Sequence, residues 1–215
     1  MEIFEYGERE IDYLSRCDEA LGSVIRRIGR IERRVTPDLF VALTESIIGQ
    51  QISNRAMERV VGRFRALLGT ITPERVLQTD RSAIKECGIS FRKADYILAA
   101  AQAFFEGRIS ESDLVGLSDR EVVARLTQLP GVGVWTAEML MTFSMQRPNI
   151  LSWGDLAIHR GLRMVHHHRR ITPELFAKYR RRYTPYGSVA SLYLWEVAGG
   201  AIPGMKDWAP KSEKR

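Results

Sequence analysis

Residues 126–140, Leu-Thr-Gln-Leu-Pro-Gly-Val-Gly-Val-Trp-Thr-Ala-Glu-Met-Leu, constrain the fold of this chain more than any other stretch. A helical pattern runs into Leu129-Pro130-Gly131-Val132-Gly133, and a second helical pattern starts directly after it. Proline followed by two glycines around one apolar residue predicts a tight hairpin between two helices. Backbone N–H groups at the start of the second helix then face outward, where they bind phosphate without reading base identity. The turn suggests a grip on a nucleic-acid backbone. What lies beside it decides between a binder and an enzyme.

Composition sets the outer bounds. The 215 residues suffice for one large or two small domains, and 45% hydrophobic content supplies a sizeable core. A net charge of +6 favours polyanionic partners. Cys17 and Cys87 are the only cysteines, which excludes a four-cysteine iron–sulfur or zinc site and a disulfide framework. Two cysteines fit a reducing cytosol, so a cytoplasmic protein is expected. No apolar run approaches the ~18 residues of a membrane span. The start, Met1-Glu2-Ile3-Phe4-Glu5, carries no leader pattern, and 206–215 reads as a polar tail.

Helix punctuation recurs along the chain. Thr36-Pro37-Asp38, Thr72-Pro73-Glu74 and Thr172-Pro173-Glu174 each place an N-cap residue before a proline at the first helical position. Ser118-Asp119-Arg120-Glu121 reads as a capping box. Leu39, Phe40, Leu43 and Ile47 share one helical face; Phe91, Ala94, Ile97, Leu98, Ala101 and Phe105 share another. No alternating strand is longer than about five residues, although Tyr6 and its neighbours could be extended. These signals predict an all-α chain of eight to eleven helices in two lobes, with a cleft between them. One lobe is 36–145, with the hairpin at about 118–145. The other joins the N-terminal helix of 1–35 to 146–205.

Beyond the hairpin, an extended piece at 149–153 leads to Gly154-Asp155 at the start of another helix. Asp is a favoured N-cap, so a structural role alone accounts for Asp155. The roles are compatible, because amides and the helix dipole favour a negative charge there, as an electrostatic catalyst requires.

Leu129-Pro130-Gly131-Val132-Gly133, Trp135-Thr136-Ala137 and Gly154-Asp155 together resemble the helix-hairpin-helix DNA glycosylase superfamily. Within it the chain is most similar to the 3-methyladenine DNA glycosylase II family. Residues 40–53, ending Ile47-Ile48-Gly49-Gln50-Gln51-Ile52-Ser53, resemble that family's ILGQ-x-[IV]-S segment. Phe91-Arg92-Lys93-Ala94 resembles its next helix start, and Tyr193-Leu194-Trp195 its late aromatic helix. The match spans about 36–200 in order and spacing.

The resemblance implies a base-flipping enzyme whose catalyst is Asp155. Amides around Gly131, Gly133, Val134 and Trp135, with Thr136, would hold DNA phosphates. Carbonyls of Thr127, Leu129 and Val132 would hold a monovalent cation, Na+ or K+; no other cofactor is implied. Gln51 would fill the gap in the base stack. Trp135, Trp195, Met139 and Leu156 would line the base pocket, with Trp153 and Tyr193 nearby. Met139 and Leu156 replace residues that are aromatic in some relatives.

Departures from the family pattern are equally specific. The lysine nucleophile of bifunctional lyases lies two residues after the second hairpin glycine; here Trp135 stands there. No Schiff base with the sugar is expected. About 35 residues precede the match, so the β-rich N-terminal domain of larger relatives is expected to be absent. Glu45 is the one weak candidate for a second acid. A missing acid suits a leaving base that is already cationic, such as an N3- or N7-alkylated purine, which an indole face attracts.

The expectation is a monofunctional glycosylase for alkylated purines, acting as a monomer on damaged double-stranded DNA, with no membrane partner. Excision of deaminated or oxidised bases and a non-catalytic DNA-binding module are the alternatives. His166-His167-His168 and Arg180-Arg181-Arg182 read as a solvated loop and a solvated basic face. No strand precedes Gly131-Val132-Gly133, which rules out a nucleotide-binding loop.

Overall fold

A computed structural model describes residues 2–210, so residues 211–215 of the expected tail lie outside the described part. Thirteen α-helices form among the described residues, more than the eight to eleven expected. The elements the sequence does not announce are short: α6 (Arg81–Glu86) and α8 (Glu111–Val115), opened by an Asp and a Ser cap, whereas the equally short α5 (Pro73–Leu77) opens where Thr72-Pro73-Glu74 predicts. Helices of five or six residues carry too little periodicity to read from sequence. No strand forms among the described residues; the Tyr6 region contributes one isolated bridge, Ile3 to Arg34.

The chain divides into two compact units. One is the continuous segment Thr36–Met145. Its further helices are α3 (Leu39–Gly49), α4 (Asn54–Leu68), α7 (Phe91–Phe105), α9 (Asp119–Leu126) and α10 (Val134–Phe143). Leu39, Phe40, Leu43 and Ile47 of α3 are all buried, α3 packs on α7, and Ala94, Ile97 and Ala101 of α7 are buried as well. Phe91 and Phe105, at the two ends of the α7 stripe, are exposed instead. Phe91 lies beneath the Arg81 guanidinium, 4.3 Å from its ring centroid. At Thr36-Pro37-Asp38 the helix opens later than the proline suggests. Asp38 caps it through Val41 N–H, and α3 starts at Leu39.

The second unit joins Met1–Val35 to Gln146–Arg215. It contains α1 (Glu8–Cys17), α2 (Glu19–Ile28), α11 (Leu156–His166), α12 (Pro173–Tyr183) and α13 (Gly187–Gly199). α13 is apolar all round, with its residues from Gly187 to Leu194 buried, as befits a central helix. α11 crosses it at Gly161, where a Cβ would stand 2.4 Å from the Leu194 carbonyl oxygen.

The basic and histidine runs are less solvated than expected. Asp18, the cap of α2, is buried and accepts bonds from Arg182 (2.8 Å) and the Tyr183 hydroxyl (3.1 Å). Burial opposes its ionisation, but these bonds and nearby His166 outweigh it and hold the carboxyl below its usual range. His166 closes α11 inside the fold, its Nε2 2.9 Å from the Tyr183 hydroxyl. His167 turns the chain in the left-handed region against Trp208, and His168 Nε2 meets the Tyr179 hydroxyl at 2.7 Å.

Candidate DNA-binding and catalytic residues

The hairpin takes shape from its two glycines, which do different work. α9 opens on the Ser118–Glu121 capping box and ends at Thr127. Val132 N–H donates to the Leu129 carbonyl at 3.1 Å to close the turn. Gly131 has φ +80°, a conformation side chains rarely adopt, and a Cβ there would stand 2.2 Å from the Tyr96 ring. Gly133 caps α10 with extended backbone, φ −94° and ψ 174°. A Cβ on Gly133 would meet nothing within 4 Å. Nothing inside the protein therefore demands glycine at 133; its bareness keeps open the space before the helix. α10 has no side-chain cap, so no N-cap side chain covers the amides of Val134, Trp135 and Thr136. Val134 and Trp135 are exposed, the latter 45%, whereas Thr136 is buried and Met139 half-buried.

The cation proposed by resemblance would rest on the Thr127, Leu129 and Val132 carbonyls. Thr127 is the C-cap of α9, at the end where carbonyls carry the negative end of the helix dipole. Carbonyl oxygens are hard donors, a chemistry that suits Na+ or K+.

Gln50 and Gln51 follow the last residue of α3. Ile52 N–H donates back to the Gly49 carbonyl at 3.3 Å. With Gln50 at φ −55°, ψ 129° and Gln51 at φ +60°, residues 49–52 form a type II turn. Its third position favours glycine, yet Gln51 occupies it and is exposed. Two contacts here have no sequence signature. The Gln50 side chain donates to the Gly131 carbonyl at 2.9 Å. Lys93 Nζ donates to the carbonyls of Ile48 (2.8 Å) and Gln50 (2.6 Å).

Asp155 caps α11 and is 7% exposed. Its Oδ1 accepts from Ala157 N–H (2.8 Å) and Ile158 N–H (3.1 Å). Its Oδ2 accepts from Trp195 Nε1–H at 3.2 Å. One oxygen is thus committed to the helix terminus, and the other is oriented by an indole from α13. The sequence pointed to Trp195 as a pocket wall; its hydrogen bond to Asp155 is the added finding. Leu156, next to the carboxylate, is 83% exposed. Trp153 is 46% exposed and packs edge-on to His159 and Phe176. Its carbonyl meets His159 Nε2 at 2.8 Å, so the next turn of α11 ties down the approach to Asp155. Tyr193 is fully buried and donates its hydroxyl to the Gly29 carbonyl, which makes it a core residue and not a pocket one. Glu45 pairs with Arg65.

A hairpin helix with no side-chain cap, a glutamine in the left-handed region at a turn tip and a carboxylate oriented at a helix start are features that suit a nucleic-acid-binding class of protein. Comparison with known proteins agrees. Residues 44–185 match the HhH-GPD superfamily of base excision DNA repair proteins, and the chain belongs to that superfamily. A DNA-3-methyladenine glycosylase of Schizosaccharomyces pombe is 28% identical over 86% of this chain and 85% of its own length. A DNA-3-methyladenine glycosidase structure from Bacillus halodurans superposes with TM-score 0.82 at 32% identity, covering 93% of each chain. A 3-methyladenine glycosylase from S. pombe, solved with abasic DNA, superposes with TM-score 0.77 at 28% identity. It covers 89% of this chain and 97% of its own.

Proposed function

We propose that this protein is a monofunctional DNA glycosylase that flips out and hydrolytically excises alkylated purines of the 3-methyladenine and 7-methylguanine type. The observation that carries the reading is Asp155: a nearly buried carboxylate with one oxygen fixed by two amides and the other by an indole N–H. The relatives named 3-methyladenine glycosylases support the substrate class.

A base inside a duplex is unreachable, so it must be extruded at a cost of a few kcal/mol. The amides of residues 133–136 grip the backbone, and Gln51 occupies the vacated position. The Thr127, Leu129 and Val132 carbonyls would hold a monovalent cation, whose positive charge would add to the attraction for phosphate. Trp135, Trp195, Met139 and Leu156 surround the base, and the indole face of Trp135 favours a cationic ring. As the glycosidic bond breaks, positive charge develops on the sugar. The Asp155 carboxylate stabilises that charge and orients the attacking water, taking its proton. The charged purine leaves as a neutral base, so no acid is needed on the leaving side. Double-stranded DNA as substrate, a monomeric state and a cytoplasmic setting complete the proposal. Among the described residues no helix is long and apolar enough to cross a membrane.

The test is base release from methylated duplex DNA, resolved by chromatography. Wild type releases 3-methyladenine and 7-methylguanine, and borohydride traps no covalent adduct. Asp155→Asn loses at least about 100-fold in release while still binding DNA. Equal release by wild type and variant removes Asp155 as the catalyst.

A further inference from the structure

Gln51 sits where a type II turn selects glycine, and something must hold it there. Types I and II differ by rotation of the peptide between the two central residues. In type I that peptide is turned over and the third residue relaxes to negative φ. The oxygen that marks the difference is the carbonyl of Gln50. In this structure it receives Lys93 Nζ at 2.6 Å, and the same ammonium holds the Ile48 carbonyl at 2.8 Å. A turned-over peptide would carry its oxygen away from Lys93 and break that bond. The left-handed conformation of a non-glycine residue costs about 1–2 kcal/mol, within the range of one hydrogen bond to a charged group. Desolvation first, and neighbouring Arg92 second, push the Lys93 amine below the usual lysine range. The Gln50 side chain meanwhile donates to the Gly131 carbonyl, so the same turn is pinned to the hairpin.

We infer that Lys93 is the positioning residue of the intercalating turn: its bond to the Gln50 carbonyl locks the 50–51 peptide so that Gln51 is presented to the base stack in its left-handed conformation. The inference rests on the proposed base-flipping activity. Both bonds of the Lys93 ammonium go to backbone carbonyls of the turn region, so its assigned role is to act through the turn.

A double-mutant cycle on duplex DNA tests it, read both as 7-methylguanine release and as the fluorescence rise of a flipped 2-aminopurine. Lys93→Met lowers flipping and release about 10- to 100-fold, the range expected for losing bonds from a charged donor. Gln51→Gly removes both the wedge and the strain, so adding Lys93→Met to it costs less than about threefold. A merely structural lysine would cost the same in both backgrounds, and that result overturns the inference, as does an unchanged 2-aminopurine signal in Lys93→Met alone. Circular dichroism melting accompanies each variant. If Lys93→Met is unfolded at the assay temperature, Lys93→Gln is read in its place against the same criterion. Failure of wild type to release any alkylated base would overturn the proposed activity, while the flipping signal would still report on Lys93.

Discussion

The two hairpin glycines yield a prediction in which stability and binding move independently. Gly131→Ala forces a side chain into the left-handed region at about 1–2 kcal/mol. It also drives a methyl group into the Tyr96 ring, an overpacking of about 1–3 kcal/mol. The combined loss of about 2–5 kcal/mol lowers the melting temperature by roughly 5–15 °C in a chain of this size. Gly133→Ala meets nothing within 4 Å and adopts a backbone open to alanine. Removing a glycine there stiffens the unfolded chain by about 0.4–1 kcal/mol, which the poorer N-cap preference of alanine offsets, so stability changes by less than about 1 kcal/mol. Its methyl group stands in front of the α10 start, where the proposed function places a DNA phosphate. Displacing that phosphate sacrifices charge-assisted bonds and weakens DNA binding about tenfold or more. Thermal unfolding by circular dichroism and DNA binding by fluorescence anisotropy at fixed salt measure the pair. If Gly133→Ala melts as early as Gly131→Ala, or binds DNA like wild type, the division of labour is wrong.

Two further outcomes follow from contacts described above. Trp195→Phe keeps the ring but loses the N–H to Asp155, so kcat falls about tenfold or more with KM little changed; a change confined to KM would make Trp195 a pocket wall only. Burial pushes the His166 pKa down to about 4, against about 6.5 in an unfolded chain. Below pH 6.5 the unfolded chain takes up a proton that the fold refuses, so stability declines from pH 6.5 to 4 and then levels off, by at most about 3 kcal/mol. His166→Gln flattens the curve of melting temperature against pH over that window, and a wild-type curve already flat there would refute it.

The elements that position the candidate residues were largely legible in the sequence, because their signals are local. Thr72 and Thr172 before proline, the Ser118–Glu121 box and Asp155 before an apolar helix all cap as their residue types dictate. The stripe of α3 is buried because i, i+3, i+4 spacing leaves it one face to bury. What could not be read is partnership across long sequence separation. Nothing in Lys93 announces that it reaches the Gln50 carbonyl, and nothing in Trp195 announces Asp155. His166 and Arg182 were misjudged for the same reason. Their run composition suggests solvent, but Asp18, some 150 residues earlier in the chain, turns them inward.

The discontinuous unit has a consequence for synthesis. α2 buries Leu21, Val24 and Ile25 and packs on α11 and α13, and α13 is translated roughly 160 residues after it. At about 5–20 residues per second, the ribosome takes roughly 8–30 s to deliver that partner. Throughout this interval Thr36–Met145 emerges with its own core and can close, while the nascent amino-terminal helices wait with a greasy flank uncovered. A chaperone that screens emerging chains would find its target there, ahead of the repair machinery that the finished molecule becomes.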